Sequence, residues 1–147
     1  NLKRQVNRRI KRITLELYNE IFQYAKEYIK SNSKYSPEVK KDTPPNLKFP
    51  LVIIRKLDNP LDDENLDKTD QRFKVGYEIE IYTMNNGNIA KQVIAEELIN
   101  LIYEIFFNHY GMNLKTDKQI PNSDLDVYRW YMSFEGKIDE NKKIYRR

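Results

Sequence analysis

The sharpest pattern in this chain is an alternation of apolar and polar residues from 72 to 83, which is regular from Phe73 to Ile81 apart from Gly76. Successive side chains of a β-strand point to opposite faces, so the alternation predicts a strand with one buried and one wet face. The apolar face carries Phe73, Val75, Tyr77, Ile79 and Ile81. The wet face carries Arg72, Lys74, Glu78 and Glu80. A single wet face is typical of an antiparallel sheet.

Helical spacing dominates the start of the chain. Apolar residues recur at intervals of three and four, which predicts one long helix over residues 3–30. The stripe expected to face the sheet is Val6, Ile10, Ile13, Leu17, Ile21, Tyr24 and Tyr28. A second stripe lies about 120° further round at about 100° per residue, and it consists of Leu15, Tyr18, Phe22, Ala25 and Ile29. The helix therefore has more apolar surface than one small sheet covers.

The rest of the chain divides into recognisable segments. In order they are a proline-containing loop (31–48), a strand (49–57), a long acidic hairpin arm (58–71), the alternating strand (72–83), a broadly apolar second helix (88–110) and a closing hairpin (125–147). Three prolines forbid regular helix in the loop, and the Asn-Gly pair at 86–87 ends the alternating strand. Gly111 is a natural helix C-cap, and residues 112–122 are predicted to be irregular.

These elements predict an α+β fold in a single domain, residues 1–147, whose N-terminal helix lies within 1–30. The predicted sheet is antiparallel, with about four strands in two hairpins packed by two helices, in the order α-β-β-α-β-β. Cysteine is absent, which excludes disulfides and thiolate metal sites. No apolar run approaches the roughly 20 residues needed to cross a bilayer, and the basic start lacks the apolar core of a signal peptide. We therefore expect a soluble protein made in a cytoplasm, without a membrane partner.

The net charge of +4 conceals a segregation of charge along the chain. The first twelve residues contain no acid, and the basic contact end that they form includes Arg4, Arg8, Lys11 and Arg12. The acidic arm holds six carboxylates against one lysine, namely Asp58, Asp62, Asp63, Glu64, Asp67 and Asp70. Two hypotheses remain open for each segment: a solvated surface, or contact with a partner of opposite charge.

No catalytic constellation occurs along the chain, so we predict no enzyme, cofactor or metal. The sequence 135–137, Glu-Gly-Lys, is similar to half of a metal-dependent nuclease motif, but Asp126 is nine residues away. In one strand that separation is about 30 Å, too far to share an ion. A calcium loop counted from the start of the arm needs glycine at its sixth position and glutamate at its twelfth, where this chain has Asp63 and Thr69. His109 is the only histidine, so neither a triad nor a zinc site forms.

Several segments, taken in order, resemble a known family. FPLVIIRKLDNP, a polar arm and KVGYEIEIYTMNNG are similar to its first hairpin, and AKQVIAEELINLIYEIF is similar to its apolar helix. LDVYRWYMSFEGKIDENKKIYR is similar to its closing hairpin, with a Tyr-Arg pair in the strand and Ile-Tyr-Arg at the end. Over about residues 49–147 the chain thus resembles the phage tail completion or tail terminator proteins, which join head to tail. The resemblance rests on pattern and order, without an invariant catalytic motif.

The resemblance implies a structural virion protein at the head-to-tail interface. It implies a homo-oligomeric ring, commonly of six copies, that caps the tail tube protein and docks it to the connector or portal-associated protein. Viral DNA would pass through the ring. A lining of mixed charge lets DNA slide without holding each phosphate. The candidate lumen-facing sheet face is Arg72, Lys74, Glu78, Glu80, Glu135 and Lys137.

A second function remains open, that of a basic α+β nucleic-acid-binding module. Basic residues could contact phosphates while an aromatic side chain stacks on bases. Tyr128 and Trp130 share the apolar face of their strand, so we expect them in the core. Tyr131 lies on the other face and is the better candidate for stacking.

Overall fold

The computed structural model describes residues 2–57, 72–139 and 141–145. Two helices and six strands occur in these ranges, which confirms the predicted α+β class. In chain order they are α1 (Leu2–Asn32), β1 (Glu38–Lys40), β2 (Leu51–Leu57), β3 (Phe73–Thr83), α2 (Lys91–Tyr103), a π-helical continuation of α2 (Glu104–His109), β4 (Asn113–Gln119), β5 (Tyr128–Ile138) and β6 (Ile144–Tyr145).

The strands form one mixed sheet in the order β1-β2-β3-β5-β4, and β6 pairs with the end of β5. β1 runs parallel to β2, and all other pairs are antiparallel. The predicted sheet of about four antiparallel strands, and the order α-β-β-α-β-β, were therefore wrong in detail. The hairpin of β2 and β3 and the closing pair of β5 and β6 were predicted correctly.

Both unpredicted strands lie in segments that were expected to be irregular. β1 follows Pro37 and buries Val39 against the edge of β2, and the amide of Glu38 donates to the carbonyl of Pro50 at 3.0 Å. The prolines of this segment therefore bracket a strand rather than exclude one. β4 is an edge strand, where solvent satisfies polar side chains and only Leu114 and Thr116 are half-buried. An edge strand needs little apolar surface, so its sequence carries a weak signal.

Both helices cover the same face of the sheet. Tyr77 of β3 lies at the centre of this face, with ring centroids 6.2 Å from Tyr18 of α1 and 5.9 Å from Phe106 at the end of α2. Phe106 in turn stacks on Phe134 of β5 at 5.1 Å. All five apolar residues predicted on the inner face of β3 are buried, as are Val52 and Ile54 on the same face of β2. Leu51 and Ile53 are also buried, but they pair with Tyr82 and Glu80 and lie on the opposite face. The alternation in the sequence therefore predicted the core side of the sheet correctly.

The helices run antiparallel to each other. Along α1, the hydroxyl of Ser33 donates to Glu97 at 2.5 Å, and that of Tyr28 donates to Glu104 at 2.6 Å. Further toward the start of α1, Glu20 accepts a hydrogen bond from Lys142 at 2.8 Å, just after β5. The N-terminal turns of α1 therefore lie at the end of the sheet where β3 begins and β5 ends.

Most of the apolar surface that seemed in surplus is covered within the described part of the chain. Tyr18 and Ala25 of the second stripe are buried, and Phe22 is half-buried. Leu15 of α1 and Val93 of α2 stay exposed, each at 51%. The expectation that both helices need extra cover therefore holds only at these isolated positions. Elsewhere the sheet covers Tyr18, whose hydroxyl donates to the carbonyl of Ile54 at 2.6 Å, and the end of α2 covers Tyr24, whose ring stacks on His109 at 4.2 Å.

The ends of α2 follow from short-range chemistry. Gly87 adopts φ +58° in the turn that was predicted from the Asn-Gly pair. The helix itself starts at Lys91, three residues later than predicted, where the amide of Lys91 donates to the Asn85 side chain at 2.9 Å. Gly111 adopts φ +72° directly after the C-cap residue Tyr110, so it ends the helix as predicted but from the position after the cap.

Candidate functional site: the polar face of the sheet

The face of the sheet opposite the helices carries a network of charged and phenolic side chains. Strand pairing sets Arg55 opposite Glu78, Glu80 opposite Tyr131, and Tyr82 opposite Arg129. We call this set the polar face: Arg55, Glu78, Glu80, Tyr82, Arg129 and Tyr131. Three adjacent strands contribute to it, so its geometry is held by the hydrogen bonds of the sheet.

Glu80 is the centre of the network and is only 7% exposed. Its Oε1 accepts a short hydrogen bond from Arg129 Nη2. Its Oε2 accepts from Arg55 Nη1 at 3.1 Å and from the hydroxyl of Tyr82 at 2.8 Å. About a quarter of each arginine side chain is exposed, 27% for Arg55 and 28% for Arg129. One carboxylate is thus shared between two cations at the edge of the solvent.

Two opposing effects set the charge of Glu80. Burial by itself raises the pKa of Glu80, but the hydrogen bonds from Arg129, Tyr82 and Arg55 outweigh it and bring the pKa below the ordinary value of 4.5. Burial, followed by the hydrogen bond to Glu80, raises the pKa of Tyr82 to about 12. At neutral pH the carboxylate is therefore ionised and the phenol stays protonated as a donor.

The network extends to both sides of Glu80. The hydroxyl of Tyr131 donates to Glu78 at 2.9 Å, and burial, followed by this bond, raises the pKa of Tyr131 to about 12. On the other side, Arg55 Nη2 donates to Thr43 Oγ1 at 3.0 Å and to Asp42 Oδ1 at 3.4 Å. Arg55 therefore ties the loop after β1 to the sheet.

The structure brings together only part of the predicted lumen-facing set. Glu78 and Glu80 lie in the network, where their oxygens already accept hydrogen bonds, so Glu80 is not an open surface charge as expected. Lys74 and Lys137 are exposed and lie directly opposite each other on β3 and β5. Glu135 pairs with Lys115 of β4 at 3.9 Å.

Arg72 completes the predicted set and occupies a different environment. Its guanidinium lies over the ring of Tyr145 in β6, 4.6 Å from the centroid. This cation–π contact fixes the start of β3 against the last strand of the sheet.

Sequence reasoning missed the two arginines and Tyr82 as members of the site. One signal in the sequence could have found two of them. In the alternating pattern of their strands, Tyr82 and Arg129 fall at the positions that point to the wet face. Arg55 and Arg129 are 25 and 49 residues from Glu80 in the sequence. Strand pairing brings them together, and no short sequence pattern indicates which strands pair.

The basic end of α1 is exposed. Arg4, Arg8, Lys11 and Arg12 are all on the surface, and Arg12 approaches Glu16 at 4.0 Å one helical turn away. The six carboxylates of the predicted docking arm, within 58–71, lie outside the described residues.

The aromatic side chains of Tyr128, Trp130 and His109 lie away from the polar face and contact neighbouring residues. Trp130 is half-buried against the core, and its indole Nε1 donates to Asp117 of β4 at 2.5 Å. Tyr128 is also half-buried and stacks on Trp130 with centroids 6.3 Å apart. Both residues are thus only half-buried, and their predicted core location is confirmed in part, more fully for Trp130, which packs against the core. His109 stacks on Tyr24 at 4.2 Å.

The chemistry available on the polar face is binding rather than proton transfer. Both oxygens of Glu80 are occupied by donors, so this carboxylate is a poor base. Over residues 2–57, 72–139 and 141–145, no group of three or more His, Cys, Asp or Glu is placed to hold a metal ion. In the same ranges neither helix combines the length and apolarity needed to span a membrane.

Comparison with known proteins adds no family assignment. No model of a known protein family matches the chain, and a search of curated proteins finds no significant relative. The geometry of the described residues is therefore the basis for assigning a function.

Proposed function

We propose that this chain is a structural subunit of a phage head-to-tail junction, assembled as a six-fold ring around the path of the viral DNA. In this role it caps the tail tube and docks it to the connector or portal-associated protein. The chain acts in the virion by holding neighbours in place, and catalyses no reaction.

The polar face is the observation that carries the proposal. Both helices lie on one side of the sheet, and the other side presents charges of both signs on a frame of three strands. Pairing Glu80 with two arginines leaves no isolated strong cation at the centre of that face. A DNA duplex passing such a surface meets few sites that retain a phosphate.

Isolated apolar residues on the outside of the fold suit contacts between subunits. Leu15 and Val93 project from the two helices, and Leu125 is exposed in the loop before β5. Scattered apolar residues are common on monomers, so they support a ring only together with the polar face. Heterologous contacts between such surfaces generate closed rings.

Locating the chain in the particle tests the proposal. Virions carrying a short epitope tag on this chain are labelled with antibody-coated gold and imaged by electron microscopy. The proposal predicts gold at the junction between head and tail. Gold spread along the tail or over the head, or no label on intact virions, would contradict it.

The exposed basic end of α1 favours a second candidate, the nucleic-acid-binding module. If Arg4, Arg8 and Lys11 contact three phosphates, the logarithm of the DNA-binding constant falls with the logarithm of salt concentration with a slope of about −2.7. Tyr131 is a poor stacking platform for this candidate, because its hydroxyl is bound to Glu78. Binding to duplex DNA that is tight and shows this slope would support the module over the ring.

A further inference from the structure

The outward side of α1 carries a line of basic residues that ends in an exposed leucine. At about 100° per residue, Arg4, Arg8, Lys11 and Leu15 fall within about 60° of one another around the helix. We call these four residues the outer stripe. The residues that face the core, Ile10, Ile13 and Leu17, are centred about 160° away. The outer stripe therefore points away from the sheet.

The outer stripe begins in the first turns of α1, which extend beyond the hydrophobic core. Burial on α1 starts at Ile10, so the preceding residues from Leu2 onward continue for about 12 Å at about 1.5 Å per residue. In these turns only Val6 and Asn7 are half-buried. The exposed cations of the stripe are thus presented at one end of the molecule.

The strand residues that flank the acidic segment 58–71 in sequence lie at the same end of the molecule. The flanking strands pair there, Leu57 with Gly76 and Phe73 with Ile138. The turn that follows β5 contacts α1, since Lys142 bonds Glu20 at 2.8 Å. The basic turns of α1 and the residues between which the acidic segment is inserted, Leu57 and Phe73, therefore lie at one end of the fold.

The sequence of the segment matches the stripe in two ways. It carries six carboxylates and one lysine, against three cations on the stripe. It also contains two leucines among its acids, Leu61 and Leu66, while the stripe ends in Leu15. A leucine in line with the cations suits a protein partner better than a phosphate backbone.

We propose that the outer stripe of one copy is bound by segment 58–71 of a second copy of this chain. The second copy is favoured over the same chain because the stripe faces away from the sheet to which the segment is attached. The inference rests on the proposed function and deepens it, since it names the contact that links neighbouring subunits.

Two charge-reversed forms of the full chain test the contact. The stripe variant carries Arg4→Glu, Arg8→Glu and Lys11→Glu, and acids near a helix N-terminus favour folding. The segment variant carries lysine at the six acidic positions of the arm. A control with the same charge change as the stripe variant reverses three exposed lysines elsewhere, Lys30, Lys48 and Lys118. Circular dichroism checks that each form is folded.

The mass in solution is measured at low salt over a range of protein concentrations. We expect the native chain and the control to associate alike, and each reversed variant alone to associate at least about tenfold more weakly. Mixing the two variants restores association, because each then offers the other a complementary surface. This restoration in a mixture shows that the contact joins different copies.

Several results would overturn the inference. They are a native chain that stays monomeric throughout, a stripe variant that associates as the native chain does, or a mixture that fails to associate. A stripe variant that loses only binding to a DNA duplex would assign the stripe to nucleic acid instead. The gold-labelling experiment is independent of these outcomes, because label at the junction supports the ring even if subunits meet through other surfaces.

Discussion

Replacing Glu80 by glutamine removes one negative charge from between two guanidinium groups and keeps the size of the side chain. In the native chain the carboxylate accepts from Arg129, Arg55 and Tyr82. Glutamine keeps one acceptor oxygen but has an NH2 group in place of the other. This NH2 group is a donor and would face the N–H and O–H donors of the arginines and Tyr82. The substitution therefore breaks a shared ion pair and leaves two arginines close together.

The magnitude follows from the partial burial of the network. Breaking a fully buried ion pair costs about 3–5 kcal/mol. Both arginines keep about a quarter of their side chains exposed, and Arg55 retains Asp42 at 3.4 Å, so solvent and a second acid offset part of the loss. We expect Glu80→Gln to lower the free energy of unfolding by about 2–3 kcal/mol, and the melting temperature by about 5–10 °C.

The matched control lies on the same face. Glu135→Gln makes the same chemical change at a carboxylate that is 41% exposed. Its ion pair with Lys115 is long, at 3.9 Å. It should change the free energy of unfolding by less than about 0.5 kcal/mol. Urea unfolding at pH 7 measures both variants. A Glu80→Gln protein as stable as the control would refute the account of the network.

Acid provides an independent check on the same residue. The pKa of Glu80 in the folded chain lies below 4.5, so its contribution to stability is present above about that pH and is lost as the pH falls through the folded pKa. Glutamine has no proton to gain in this range. The stability difference between the native chain and Glu80→Gln should therefore shrink as the pH falls below about 4.5, and a constant difference would contradict the assigned charge.

Three further substitutions test the core and the end of α2, with urea unfolding as the common measurement. Tyr77→Phe should stabilise the fold by about 1 kcal/mol, because the Tyr77 hydroxyl is buried without a hydrogen-bond partner in the described part of the chain. Tyr18→Phe should destabilise it by about 1 kcal/mol, since the stacked neighbour Tyr18 donates to the carbonyl of Ile54 at 2.6 Å. Equal effects of the two changes would contradict this assignment. Gly111→Ala should cost about 1 kcal/mol because φ is +72° there, and a neutral result would mean that the helix ends differently.

The parts of the fold that were predictable are those governed by local periodicity. The inner face of β3 repeats every second residue and the core side of α1 every three or four, so burial follows directly from spacing. Gly111 was predictable because left-handed backbone selects glycine. These signals need no knowledge of which strands pair.

The parts that were not predictable depend on pairing at a distance. β1 is three residues long and forms because the edge of β2 supplies backbone partners. β4 is polar because it lies at the edge of the sheet beside β5. Glu80 was placed on the correct face, but its burial depends on Arg55 and Arg129 from other strands, which local patterning does not reveal.

Counting the copies of this chain in its assembled form tests the ring most directly. Electron microscopy of the purified protein, or of the junction in virions, yields class averages viewed along the axis of the particle. The account predicts a closed ring, expected to contain six copies, with the polar faces around a central channel wide enough for duplex DNA. A single copy at the junction, or a ring with the helices lining the channel, would contradict it.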